Sequence, residues 1–486
     1  MSLTTRAIIA ILLMIGFYVL SIVVAFGLIW IPYAEWSYLH RLDIRIAAAC
    51  IIGAGVILWS ILPRRDKFEA PGPRVTREQQ PRLFAELEDI ARRTGQTLPH
   101  EVYFIPDVNA WVAQRGGTMG FGSRRVMGLG LPLMRLLTVS QFRAVLAHEF
   151  GHYCGGDTAL GPWIYKTRSA IVRTLNQLAQ AGSYVVYLFN WYAKFFMRIT
   201  LAISRSQEYA ADRLGAQVAG GRAMIEGLKQ VHIGGNAWST YLQSEVRPVI
   251  NAGFSPPLSQ GFHSFLESPK IKQASEEGLA QELATGKAQP YNSHPALPER
   301  IAALQSLPLG AASDDRLATD LLDNYDAADT SLFLTNPGHT LKPIAWEDAL
   351  PQVYIASWRK TVQSQADALR KLTAASLGKE LYSWELRNHL KFPGMAPSND
   401  QRDSVAIPLA GCALAIALMR EGWTPYSAPG EAITFSKNDR TISPFELMYQ
   451  VSRAEMKPEQ WLERCEEYGI TNLVVDPAVT LAAANA

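Results

Sequence analysis

The chain has 486 residues, 48% of them hydrophobic and 19% charged, enough for more than one buried core and too apolar for a disordered or fibrous protein. Its 46 basic and 44 acidic residues leave a net charge of +2, and without a long basic run this excludes nucleic acid as a partner. The four cysteines, Cys50, Cys154, Cys412 and Cys465, lie far apart with no CxxC pairing, which suits packing residues in a reducing compartment.

In chain order, Ala7 to Trp30 is uncharged and, at about 1.5 Å per residue, long enough to cross a bilayer. It is too long for the apolar core of a signal peptide. Ile46 to Leu62 is a shorter uncharged run, and it reads as a second span. Arg6 precedes the first span and Arg64, Arg65 and Lys67 follow the second, whereas the loop between them offsets Arg41 and Arg45 with Glu35 and Asp43. This asymmetry puts both ends inside, with the bulk of the chain cytoplasmic.

Pro71-Gly-Pro73 then makes a stiff linker into a soluble domain. Leu83, Leu87 and Ile90 give Thr76 to Arg93 helical spacing, closed by Gly95. Glu101 to Ile105 and Arg124 to Gly130 read as strands, with Asn109-Ala-Trp-Val112 between them. Thr138 is an N-cap with Gln141 completing a capping-box pattern, and Phe142, Val145 and Leu146 supply the buried face of the helix.

That helix carries the pentad His148-Glu149-Phe150-Gly151-His152. Positions four apart stack on one helical face, so both imidazoles reach a single Zn²⁺ while Glu149 points to the water in its open position. Gly151, Gly155 and Gly156 loosen the C-terminal end of the helix, and Asp157 is free to cap the next element. Farther on, Ser204-Arg-Ser-Gln-Glu208-Tyr-Ala-Ala-Asp212 offers Glu208 as a third ligand and Asp212, one turn later, as a partner that fixes a ligand histidine's tautomer.

These motifs, preceded by Asn109-Ala-Trp111 and followed by His294-Pro295 and Glu299-Arg300-Ile301, resemble the membrane-associated gluzincin metallopeptidases that include the heat-shock protease HtpX and the CAAX prenyl endopeptidases. The resemblance covers roughly Ala7 to Leu304. It implies one Zn²⁺ per chain held by His148, His152 and Glu208, Glu149 as general base, Asp212 behind a ligand histidine, and Asn109 and His294 approaching the substrate backbone. It also implies peptide-bond hydrolysis of protein or peptide substrates beside a lipid bilayer, in a multi-pass protein of the bacterial inner membrane. His294 is then the candidate donor to a tetrahedral oxyanion. Arg205 either assists it or pairs with Glu208 or Asp212.

The chain departs from that pattern between the motifs. Gly161 to Ile203 holds Lys166, Arg168, Arg173, Lys194 and Arg198 and reads as too charged to span, which puts the pentad at the membrane surface. Its stripe of Tyr184, Tyr187, Leu188, Trp191, Phe195 and Ile199 suits either an interfacial helix or a core face.

Beyond Ile301 the resemblance fades. Ser306 to Arg316 reads as a linker, Ala345 to Leu390 as helical, and Val405 to Met419 as a buried helix interrupted by Pro408 and too short to span. Ala432 to Phe435 and Thr441-Ile442 form a hairpin around Lys437-Asn-Asp439, and Ser443-Pro-Phe-Glu446 opens a helix. The expected fold is α+β and mainly helical. Its expected parts are a two-helix anchor (1–66), a zincin-like peptidase domain (67–308), a helical linker region (309–400) and a small α+β accessory module (401–486). A reading of another class is a scaffold that keeps structural zinc and binds a partner through its C-terminal module; it has no need of Glu149.

Overall fold

A computed structural model describes residues 3–62, 66–117, 122–152, 161–286, 294–307, 310, 314–332, 341–392 and 397–480. Arg64, Arg65, Cys154, Gly155, Gly156 and Asp157 lie outside the described residues. The chain is mainly helical with small sheets, an α+β protein as its sequence predicts. It divides into two units, one from the described residues of 1–235 and 276–335, the other from those of 236–275 and 336–486.

In the first unit, helix α1 (Leu3–Leu39) and helix α2 (Ile44–Ile61) are long and apolar enough to cross a membrane. α1 runs past Trp30 and through Pro32; a proline removes one hydrogen bond, and a long apolar helix absorbs that loss. Asp43 caps α2 by accepting from the Arg45 amide at 2.8 Å.

Strand β1 (Arg74–Val75) leads into helix α3 (Pro81–Thr94). This helix starts later than its apolar spacing predicts, because Pro81 fits the first helical position. Gly95 closes it in the left-handed conformation, φ 66°. Strands β2 (Glu101–Ile105), β3 (Ala110–Arg115) and β4 (Arg124–Gly130) complete a sheet of order β1-β2-β4-β3. Within it, β2 and β4 are parallel and β3 lies antiparallel to β4 at the edge.

Helix α4 (Leu131–Leu136) and helix α5 (Val139–Gly151) come next, and α5 begins with the expected capping box of Thr138 and Gln141. Glu86 of α3 pairs with Arg143 of α5 through two hydrogen bonds of 2.5 and 2.8 Å, which locks α3 along the pentad helix.

Helices α6 (Gly161–Gln180) and α7 (Val186–Ala219) pack beside the apolar pair. Phe17 and Ala25 of α1, Ala54 and Ile57 of α2, Ala170 and Ile171 of α6, and Phe189 and Phe196 of α7 form one buried cluster. The stripe of Tyr184, Tyr187, Trp191 and Phe195 is exposed, so of the two roles its spacing allows, the core face is excluded. Helix α8 (Gly221–Tyr241) begins directly after Gly220.

The second unit is built around the helix Asn399–Arg420, which starts at a Ser398–Gln401 capping box and runs through Pro408. It is longer than the apolar run predicts, and long enough to span. Its residues from Ala406 to Leu418 are nonetheless largely buried in a protein core, shared with Trp358, Leu377, Phe435 and Trp461. Residues 341–392, read from the sequence as a connecting helical region, contribute to that core because Val362, Leu369 and Leu381 are fully buried in it. Strands Thr424–Tyr426, Thr434–Lys437 and Arg440–Ile442 form an antiparallel sheet in that order. The first was not read from the sequence. The hairpin turns on Asn438 and Asp439, both at positive φ, as a two-residue turn requires. The helix Pro444–Ser452 comes after it with proline in its first turn, but Ser443 makes no side-chain cap.

Candidate metal centre and active site

The site exists because α5 and α7 approach closely. A Cβ at Gly215 would stand 2.7 Å from the Ala144 carbonyl oxygen, and one at Gly151 would stand 3.0 Å from the Ala211 Cα. These contacts leave no room for a larger residue, and they bring the pentad face of α5 onto the Glu208–Asp212 face of α7.

His148, His152 and Glu208 each offer one ligand atom, all within 4.8 Å of one another. Glu208 Oε2 is 3.5 Å from His148 Nε2, and its Oε1 is 3.6 Å from His152 Nε2. Donors held by one tetrahedral ion at bond lengths of about 2.0–2.2 Å stand about 3.4 Å apart, so the set fits zinc. Burial, reinforced by the charge of His148, pulls His152 down to about 4, leaving it the neutral imidazole that a ligand must be.

Behind this set, Asp212 Oδ1 lies 2.9 Å from His148 Nδ1. That is hydrogen-bonding distance, and it leaves Nε2, on the other side of the ring, toward Glu208. Arg300 clamps Asp212 from the other side with bonds of 2.8 and 2.6 Å. It also comes within 3.9 Å of Glu208. Buried Asp212 is held below the usual carboxylate range: burial acts against this, and the hydrogen bonds and charges of Arg300 and His148 outweigh it.

The cluster opens on a cavity of about 530 Å³ whose lining includes Asn109, Glu149, His294 and Arg300. Glu149 is reachable from the cavity yet ringed by protein atoms, and burial pushes its carboxyl up to about 7. His294 Nδ1 sits 2.8 Å from Glu208 Oε2, and this bond raises the imidazole above its ordinary value. Asn109 stands just before the edge strand β3, at the cavity mouth. Arg205 makes no ion pair with Glu208 or Asp212 among the described residues, and Arg300 holds that place.

Sequence reasoning gave Arg300 no role, and it missed the His232–Glu282 pair, 3.0 Å apart in the same cavity wall. Neither carries a local signal: Arg300 is 88 residues from Asp212, and His232 and Glu282 sit on different helices.

Residues 77–307 match peptidase family M48. A protease HtpX homologue from Archaeoglobus fulgidus is 25% identical over 245 residues, covering 47% of this chain and 69% of the relative. Protease HtpX of Hahella chejuensis is 22% identical over 294 residues, 56% of this chain and 89% of the relative. Protease HtpX of Pseudomonas fluorescens is 26% identical over 253 residues, 48% and 73%. No solved structure matches the chain. The resemblance carried by the motifs therefore holds over residues 77–307, a little under half of the chain, where it is similar to peptidase family M48 and to the HtpX proteases.

Proposed function

We propose that the protein is a zinc endopeptidase that hydrolyses peptide bonds of protein substrates at the cytoplasmic side of a bacterial inner membrane, in protein quality control. His148, His152 and Glu208 are the proposed ligands of one zinc ion. The observation that carries this reading is the convergence of two imidazole nitrogens and a carboxylate, with His148 and Glu149 of the same helix lining the adjoining cavity. Zinc, when bound, polarises a carbonyl and lowers the pKa of water toward neutrality.

The chain's own residues do the rest. Glu149 takes the proton of the attacking water and passes it to the leaving amine. Asp212, braced by Arg300, holds His148 with its Nε2 toward the ligand set. Asn109 and the edge strand β3 take the substrate backbone, and His294 is the donor toward charge developing on the carbonyl oxygen.

The test uses the full chain purified in detergent. Its zinc content is measured first, and about one ion per chain is expected. Casein cleavage should then be abolished by Glu149→Gln while the metal is retained. Equal cleavage by that variant would sink the mechanism. Bound zinc without cleavage of substrates drawn from the cell's own membranes would favour the scaffold reading.

A further inference from the structure

The second unit carries a cavity that the peptidase chemistry does not use. It has a volume of about 690 Å³, with Arg420, Lys437 and Arg440 in its lining and Glu421 as the sole carboxylate among the described lining residues. Lys437 and Arg440 are direct cross-strand partners flanking the Asn438-Asp439 turn, so two cations face each other where like charges repel. Lys437 is partly engaged by the Glu421 carbonyl. Arg420 is 3.1 Å from the Glu421 carboxylate through one nitrogen, while its other terminal nitrogen is buried without an acceptor. That nitrogen lies beneath the wall rather than on it, so Arg420 contributes only partly compensated positive charge beside the cavity. Beside these cations the cavity reaches the apolar core: Tyr468 is partly buried and meets Trp423 edge to face at 6.3 Å, and Trp423, Ile470 and Leu473 show it only their edges, each under a tenth exposed. Asn438, Thr471 and Asn472 add neutral hydrogen-bonding groups.

We propose that this cavity binds the C-terminal carboxylate of a polypeptide, with the last side chain against the Trp423–Tyr468 wall. A carboxylate matches the planar donor fork of arginine. The adjoining apolar wall is what a terminal residue needs and what a free inorganic anion has no use for. Service of this cavity in capturing substrates rests on the peptidase reading, whereas the binding itself does not.

The test titrates a fluorescein-labelled hexapeptide ending in a free leucine carboxylate into the full chain in detergent, carrying Glu149→Gln so that no cleavage intervenes. The same peptide as its C-terminal amide should bind about tenfold more weakly or worse. The Lys437→Gln/Arg440→Gln double variant should lose that discrimination. Arg420→Gln gives an independent reading should the double variant melt early. In a chain that keeps Glu149, these substitutions should leave cleavage of an amidated, internally quenched peptide unchanged, because they lie outside the proposed catalytic machinery. Equal binding of acid and amide would overturn the proposal. Displacement by inorganic phosphate at lower concentration than acetate would reassign the cavity to phosphate and overturn it as well. Displacement by N-acetyl-leucine as effective as by the hexapeptide would overturn the polypeptide source in favour of a small carboxylate.

Discussion

Arg300 shows most clearly how single residues act in this site. It is 6% exposed and its partner Asp212 1%, so the pair is desolvated, and removing one member leaves the other as an uncompensated buried charge. Arg300→Gln should therefore lower the melting temperature, with a cost of about 3–5 kcal/mol, and weaken zinc binding by about 10–100-fold, read by competition with a chromophoric chelator. Arg300→Lys should restore the charge but only part of the affinity, since lysine cannot make the two-pronged bond. An unchanged zinc affinity in Arg300→Gln would reduce the pair to a structural role. This residue also marks where legibility in the sequence stops. The pentad and the Glu208–Asp212 spacing are local, because a helix fixes what four residues apart can reach. Arg205, three residues before Glu208, looked equally able to pair with it, but its helix does not deliver it there. Tertiary packing supplies Arg300 from the Glu299-Arg300-Ile301 segment.

Between elements, the closeness of α5 and α7 sets the geometry that the ligand atoms inherit. Gly215→Ala would push a methyl group against the Ala144 carbonyl and the Met224 sulfur, both 2.7 Å from the Cβ position. Backbone cannot yield as a side-chain tip can, so the helices must part, at a cost of about 1–3 kcal/mol. The expected outcome is a lower melting temperature together with weaker zinc binding. Gly235→Ala, inside α8 where the added methyl meets nothing within 4 Å, should leave zinc binding unchanged and raise the melting temperature slightly, since alanine is favoured over glycine in a helix interior by about 0.5–1 kcal/mol. Equal loss of zinc affinity in the two variants would show that helix separation is not responsible. Elements with strong local codes were readable: β2 and β4 by β-branched and glycine-bounded runs, α5 by its capping box, the hairpin by its turn. The strand Thr424–Tyr426 was not. Its Thr-Pro-Tyr has no alternating pattern, and it is a strand only because Thr434–Lys437 pairs with it.

At the scale of the whole molecule, the charges of residues 161–203 have a different meaning once their partners are known. Composition alone reads Arg168 and Arg173 as barriers to burial, yet Arg168 reaches the hydroxyls of Thr200 and Ser204 at 3.3 Å each, and Arg173 reaches the Ser60 carbonyl at 3.3–3.4 Å. Ser60 and Thr174 share a buried 2.7 Å bond, and the Tyr192 hydroxyl donates to the Leu13 carbonyl. The polar groups thus face inward among four packed helices, the arrangement by which intramembrane cations are tolerated. Tyr187 and Trp191, 70% and 66% exposed, lie on the opposite face. Because α7 packs against the middle of α1, a bilayer crossed by α1 would bathe this face in lipid rather than water. Single cysteines at Tyr187, Trp191 and Phe195, placed in a chain cleared of its four native cysteines, should resist a membrane-impermeant maleimide in native membranes and react once detergent replaces lipid. Arg92→Cys, at an exposed position on α3, should react in both. Labelling of Trp191→Cys in intact membranes as fast as Arg92→Cys would put the stripe in water and return α6 and α7 to the membrane surface.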